Sequence, residues 1–149
     1  MQISTRGRYG LRAMVDMALH VGDGPLALRV IAERQGISES YLEQVFTNLR
    51  KAGLIRASRG AQGGYELVRS PQEMTVGEIL RALEGPIAPV HCVDVQTPGK
   101  ACERESICVT RNFWNDLKIH INQFLDGTTL QDLADRARTI APDEPMFYI

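Results

Sequence analysis

No stretch of the 149 residues approaches the roughly 20 apolar side chains that a membrane-spanning helix needs. The opening MQISTRGRYG is too polar for the apolar region of a signal peptide, so a cytoplasmic protein is expected. Cysteine is scarce and odd in number. Cys92, Cys102 and Cys108 are the whole complement, which excludes a disulfide framework and fits a reducing compartment. No internal repeat or low-complexity run occurs. The three histidines, His20, His91 and His120, show no pairing with a cysteine nucleophile, and no catalytic motif is present, so an enzyme is not expected. The glycine-rich GAQGG lacks the spacing and the Lys-Ser/Thr of a phosphate-cradling loop.

What is present is an ordinary globular composition, 44% hydrophobic and 23% charged, on a chain long enough for a workable core. The net charge of −1 hides an asymmetry. Residues 1–69 carry ten Lys/Arg against six Asp/Glu, whereas residues 70–149 carry seven against twelve. Only the first part is suited to face a polyanion.

Ser4 or Thr5 can cap a first helix over about 6–21, whose Leu11, Met14, Val15 and Ala18 share one face. Gly22–Asp23–Gly24–Pro25 is turn chemistry. A second helix over 26–35 points Leu28, Ile31 and Ala32 inward and is broken by Gly36. Ser38 caps a third helix running to Lys51. After Gly53, LIRASRGAQGGYELV predicts a strand, a glycine turn at 60–64 and a second strand. Thr75 and Glu78 form a capping box for a short helix over 76–84, stopped by Gly85–Pro86. A long loop over 86–104 precedes a long helix to about Leu125, a break at Asp126–Gly127, and a last helix capped by Thr128 or Thr129.

Helix, turn, helix, hairpin is the order of a winged helix-turn-helix. The fold class expected is therefore mainly α with a small β-hairpin wing, plus a long dimerisation helix. The third helix divides by face. Leu42, Val45, Phe46 and Leu49 are apolar at one i, i+3, i+4, i+7 register, and Ser40, Glu43, Gln44 and Thr47 are polar at another. Such a polar face can enter the major groove, where Gln pairs with adenine and Glu accepts from cytosine. Tyr41, between the faces, can reach a phosphate. In the hairpin Arg56 and Arg59 bracket the glycine tip, and an Arg there suits the potential of a narrow minor groove.

The stretches STRGRYGLRAM, IAERQGISESYLEQVFTNLRKAGLI and RGAQGGYEL resemble the IscR/CymR/NsrR family of bacterial winged-helix transcription regulators. The resemblance covers essentially the whole chain and is most specific over residues 1–69. It implies a homodimer on near-palindromic double-stranded DNA. It also implies that Ser38, Ser40, Tyr41, Glu43 and Gln44 of the recognition helix, with Arg59 of the wing, lie at the DNA.

Cys92, Cys102 and Cys108, spaced x9 and x5 on a loop leading into a helix, are themselves a candidate metal site, with zinc and iron both open on spacing alone. Lys100 and Arg104 nearby favour thiolates. The resemblance implies a [2Fe–2S] cluster on these three cysteines, as in the iron–sulfur cluster regulator (IscR) type. Two departures stand out. The first spacing exceeds that type's usual five residues, and Arg111 stands where its fourth ligand, a His, is expected. An arginine cation cannot ligate. His120 is twelve residues from Cys108, about 18 Å along a helix. His91, Glu103, Glu105 or a residue of the partner subunit can serve instead.

LEGPIAPV and the terminal MFYI are similar to the cysteine-metabolism repressor (CymR) branch, whose members lack the cysteine triplet and act with a partner enzyme. That leaves three readings in one family: a cluster-sensing regulator of cluster assembly or sulfur and iron metabolism, a cluster-free repressor, and a nitric-oxide or redox sensor. In the long helix Ile107, Trp114 and Ile121 repeat every seven residues with Thr110, Leu117 and Phe124 interleaved, a heptad-like dimer seam. The expected organisation is a DNA-binding domain over 1–85 (helix-turn-helix 26–51, wing 54–68), a cysteine loop over 86–104, a dimerisation helix and C-terminal helix over 105–139, and a tail over 140–149.

Overall fold

The structure, a computed structural model, describes residues 1–94 and 102–140. Helix α1 spans Thr5–Leu19, with the Ser4 hydroxyl accepting the Gly7 amide at 3.3 Å. Its predicted face holds: Met14, Val15 and Ala18 are buried, and Leu11 packs at the edge of the core. Helix α2 spans Leu28–Gln35 and buries Ile31 and Ala32. It starts two residues later than the composition predicts because Leu26 is used elsewhere. The Leu26 amide donates to the Tyr65 carbonyl at 3.0 Å and its carbonyl accepts the Tyr65 amide at 2.8 Å, so it lies against the wing as extended chain.

Helix α3, Glu39–Lys51, begins at Ser38, whose hydroxyl accepts the Tyr41 amide at 3.4 Å. Leu42, Val45, Phe46 and Leu49 are its four buried residues, as the apolar register requires. Strands β1 (Ile55–Ser58) and β2 (Gly64–Leu67) pair antiparallel, Ile55 opposite Leu67 and Ser58 opposite Gly64. The wing is fixed to the body twice. Tyr65 meets Phe46 edge to face with ring centroids 4.9 Å apart, and a Cβ on Gly64 would overlap the Leu26 carbonyl, so only glycine allows that approach.

Helix α4, Val76–Glu84, has the predicted boundaries and capping box. The Thr75 hydroxyl accepts the Glu78 amide at 3.1 Å and the Glu78 carboxylate accepts the Thr75 amide at 2.9 Å. The expected loop contains a 3-10 turn, His91–Val93. Helix α5 spans Arg111–Gly127. The expected dimerisation segment starts at 105, yet residues 103–110 make successive tight turns instead of helix, so Ile107 and Thr110 of the seam precede α5. Ile107, Val109 and Thr110 are β-branched and no side chain caps α5 at Thr110, which disfavours an earlier start.

Helix α6, Leu130–Ile140, returns to the body. Leu130 and Ala134 are fully buried in the same core as α1 and α3. The Leu130 amide donates to the Met74 carbonyl at 2.8 Å, and the Val76 amide donates to the Thr128 carbonyl at 2.9 Å. The architecture is thus six α-helices and a two-stranded sheet among the described residues, a winged helix-turn-helix with α5 packed on α4 and no residue of α5 fully buried. The MFYI end lies outside the described residues.

Candidate DNA-binding face and cysteine loop

The polar register of α3 is presented outward. Ser40, Glu43 and Gln44 are exposed, and Tyr41 and Thr47 are half-buried. The Thr47 hydroxyl is turned back to the Glu43 carbonyl at 2.9 Å. Among the described residues, neither the Glu43 carboxylate nor the Gln44 amide is held by a hydrogen bond or ion pair, so both groups remain available to a ligand. Ser38 is committed in part to its cap.

Tyr41 is set by a group that the periodicity did not reveal. Its ring meets Tyr9 of α1 edge to face at 6.1 Å, and the Arg12 and Arg8 guanidinium groups lie 5.4 and 6.0 Å from the Tyr9 centroid. Arg12 also donates to the Gln35 carbonyl at 2.7 Å, covering the end of α2. The signal was present in RGRYGLR, where Arg8 and Arg12 sit one turn apart beside an aromatic. A half-buried ion pair completes the frame: Asp16 of α1, 3% exposed, accepts from Arg34 of α2 at 2.8 Å.

In the wing the two arginines separate. Arg56 pairs with Glu66 across the strands at 3.2 Å. Arg59, exposed at the tip, has no ion-pair partner among the described residues. The wing therefore offers its charge outward through Arg59.

Cys92 lies exposed on the 3-10 turn, Cys102 is exposed, and Cys108 is partly covered. The Cys108 sulfur is 3.4 Å from the Thr110 hydroxyl. That hydroxyl, the Thr110 and Arg111 amides and the nearby Arg104 charge hold the thiol below its usual value, with burial opposing them. Arg111 Nη2 pairs with Glu105 at 2.7 Å, and Arg111 Nε is buried without a partner among the described residues. Glu105, a candidate fourth ligand, is thus engaged by the residue that replaces the expected His. Among the described residues no three Cys, His, Asp or Glu side chains stand close enough together to hold a metal. In number and chemistry the three accessible thiols fit a thiolate-bound group, and Arg111 leaves the fourth position to another donor.

The sequence profile of the Rrf2 family, described as "Iron-dependent Transcriptional regulator", matches residues 3–136. This chain belongs to the Rrf2 family. It is 43% identical to the HTH-type transcriptional regulator CymR of Bacillus subtilis over 150 residues, which is 100% of each protein. It is also 43% identical over 133 residues to the HTH-type transcriptional regulator IscR of Aliivibrio salmonicida, covering 89% of this chain and 77% of that one. The solved structure of T. potens IscR superposes with a TM-score of 0.74 at 43% identity, over 94% of this chain and 90% of that one. The family and the winged fold make this Rrf2 protein a DNA-binding transcription regulator. No helix of the described residues is long and apolar enough to cross a membrane.

Proposed function

We propose that this Rrf2 regulator works as a homodimer on near-palindromic duplex DNA and that a [2Fe–2S] cluster on Cys92, Cys102 and Cys108 tunes that binding. The observation that carries the DNA part is the exposed register of α3, with Glu43 and Gln44 unpartnered among the described residues, next to a wing in which Arg56 is paired with Glu66 and Arg59 has no ion pair among the described residues. Glu43 and Gln44 read base edges, Ser38, Ser40 and Tyr41 position the helix on the backbone, and Arg59 enters the minor groove. Residues 1–85 form the DNA-binding part, 86–104 the sensing loop and 105–139 the dimerisation part.

The cluster reading rests on three solvent-accessible thiols, one of them already held toward thiolate, and on similarity to proteins named IscR. When bound, the cluster supplies a cross-link of the loop whose presence depends on iron supply and oxidants. This chain's residues do the rest: Cys92 would join the 3-10 turn to Cys102 and Cys108 on the approach to α5. Such a cross-link regulates DNA binding only if it stabilises one arrangement of the recognition helices over another.

The test compares anaerobically purified holo and apo protein against a panel of operators at fixed salt, with iron and sulfide analysis. The expected result is a visible-absorbing protein whose operator preference changes on cluster loss. Identical affinities for every operator would exclude regulation by the cluster. The full-length match to CymR favours a second reading, a cluster-free repressor of cysteine-metabolism genes acting with a partner enzyme. Colourless protein that still binds those operators would establish it.

A further inference from the structure

The 3-10 turn that carries Cys92 is not held by its own hydrogen bonds alone. Lys118, on the second turn of α5, donates from Nζ to the Val93 carbonyl at 2.8 Å. One turn on, Asn122 donates from Nδ2 to the Ile87 carbonyl at 3.0 Å and to the Lys118 carbonyl at 2.9 Å. The Asn122 side-chain Oδ1 in turn accepts from Arg81 Nη1 of α4 at 2.9 Å, while Arg81 Nη2 pairs with Asp126 of α5. Around this polar run, Ile121 and Leu125 of α5 pack with Val76, Leu80 and Ile87, so it sits beside an apolar contact and is shielded on one side.

Lys118 and Asn122 of α5 point at backbone carbonyls of one short segment, 87–93, and Arg81 of α4 holds the Asn122 side chain from behind. A charged ammonium on a carbonyl is a stronger tether than a neutral pair. Cys92 is therefore a thiol on a fixed backbone. Cys102 and Cys108 lie on turns beyond it, bonded chiefly to their own neighbours, with the Glu105 amide on the Cys102 carbonyl at 2.8 Å and the Arg111 amide on the Cys108 carbonyl at 3.3 Å. Nor does the clamp end at α5. Through Arg81 it reaches α4, whose Glu84 accepts from Ser4 and whose Leu83 lies against Gly10 of α1 and near Val45 of α3. A Cβ at Gly10 would overlap Leu83, so α1 and α4 meet there at closest approach.

We infer that Lys118, Asn122 and Arg81 are positioning residues that pre-set Cys92 as the anchored thiol of the cysteine loop and tie that loop to α4. This rests on the cluster reading above. A preorganised ligand holds its metal group longer than one that must first be ordered.

The test uses the full-length protein in two arms, with Lys118→Gln, Lys118→Arg and Asn122→Ala. In the first arm, hydrogen–deuterium exchange of the apo protein is followed in peptides covering 87–94 and, as a reference, α3. Faster exchange in 87–94 alone is expected for Lys118→Gln and Asn122→Ala, with Lys118→Arg close to wild type. In the second arm, loss of visible absorbance to an iron chelator is timed. A rate about tenfold above wild type is expected for Lys118→Gln, the equivalent of one charge-assisted hydrogen bond, and substantial rescue by Lys118→Arg. Unchanged exchange in 87–94 would overturn the clamp whether or not a cluster binds. Faster exchange with an unchanged chelation rate would overturn its role toward the cysteines. A wild-type protein that never acquires a cluster would instead overturn the reading beneath it.

Discussion

The body formed by α1 to α4 and α6 and the helix α5 solve the same problem in opposite ways. In the body Phe46, Met14, Ile31, Leu42 and Leu49 are sealed from solvent inside one core. In α5 no residue is fully buried, although the helix is rich in large apolar side chains. Its inner face, Lys118, Ile121, Asn122 and Leu125, rests on α4 and on residues 87–93, while Phe113 is 59% and Phe124 67% exposed. Phe113, Leu117 and Phe124 fall at i, i+4, i+11, one stripe along the outward face. The body is complete as a single chain. The α5 region leaves apolar surface that a second copy would cover, which is how an exposed stripe of this kind ordinarily functions.

That contrast is broken most severely at its closed side. Phe46→Ala removes a fully buried ring that also braces Tyr65 of the wing, and is expected to cost about 3–5 kcal/mol. Since a domain of this size has about 5–15 kcal/mol in total, the urea midpoint should fall sharply. A shift no larger than that of an exposed Phe→Ala change would show that the core is not closed as described. On the open side, Phe113→Ser with Phe124→Ser should leave the monomer folded, with an unchanged far-ultraviolet spectrum, and move sedimentation toward monomer. A double variant that stays dimeric would remove this stripe from the interface.

Within the body, the two halves of the DNA face can be told apart. Arg59→Ala should weaken binding to all duplexes and lower the salt slope by about one, because it removes one groove charge. Glu43→Ala and Gln44→Ala should instead change which operator is preferred, by about 1–3 kcal/mol at the affected base pair. Titrations in which all three variants lose affinity equally on every sequence would erase the distinction between positioning and reading.

The body was legible in the sequence because its signals are local. The faces of α3, the Ser38 cap and the Thr75–Glu78 box each follow from spacing within a few residues. What escaped depended on partners far along the chain. Leu26 reads as the start of α2 until Tyr65, 39 residues later, claims its backbone. Tyr9 reads as one aromatic in a helix until Tyr41 and two arginines surround it. In α5 the seven-residue repeat joined Ile121 to the seam, but Ile121 packs inward on α4, since a heptad pattern cannot say which apolar residue an adjacent helix will take. The cysteines were evident as a group, whereas the Arg111–Glu105 pair and the Lys118 tether depend on turns that no periodicity encodes.

The smallest expected effect compares two helix starts of the same design, one before α5 in the chain and one after it, both in the body. At α4 Thr75 and Glu78 cap each other. At α6 the Thr129 amide donates to Asp132 at 2.8 Å, and the Asp132 amide donates to the Thr129 hydroxyl at 3.0 Å. Thr75→Ala and Thr129→Ala should each cost about 0.5–2 kcal/mol. Their carboxylates add a dependence on pH. Glu78 is held below its usual range chiefly by the Thr75 amide, with Arg69 at 2.8 Å assisting, and Asp132 chiefly by the Thr129 amide. For a carboxylate whose pKa is lower when folded, the stabilisation is complete above the unfolded value and disappears as pH falls through the folded one. For Glu78 that window opens downward from about pH 4.3, and for Asp132 from about 3.9. Glu78→Gln keeps an acceptor for the Thr75 amide but does not titrate. The stability difference between wild type and Glu78→Gln, read from urea midpoints, should therefore be constant above about pH 5 and shrink below 4.3. Asp132→Asn should show the same behaviour shifted lower and weaker, since Asp132 is exposed and, among the described residues, has no ion pair like that of Glu78 with Arg69. A difference that grows on acidification would mean that these carboxylates are stabilised more strongly in the unfolded chain than in the folded one, and would break the assignment of both boxes.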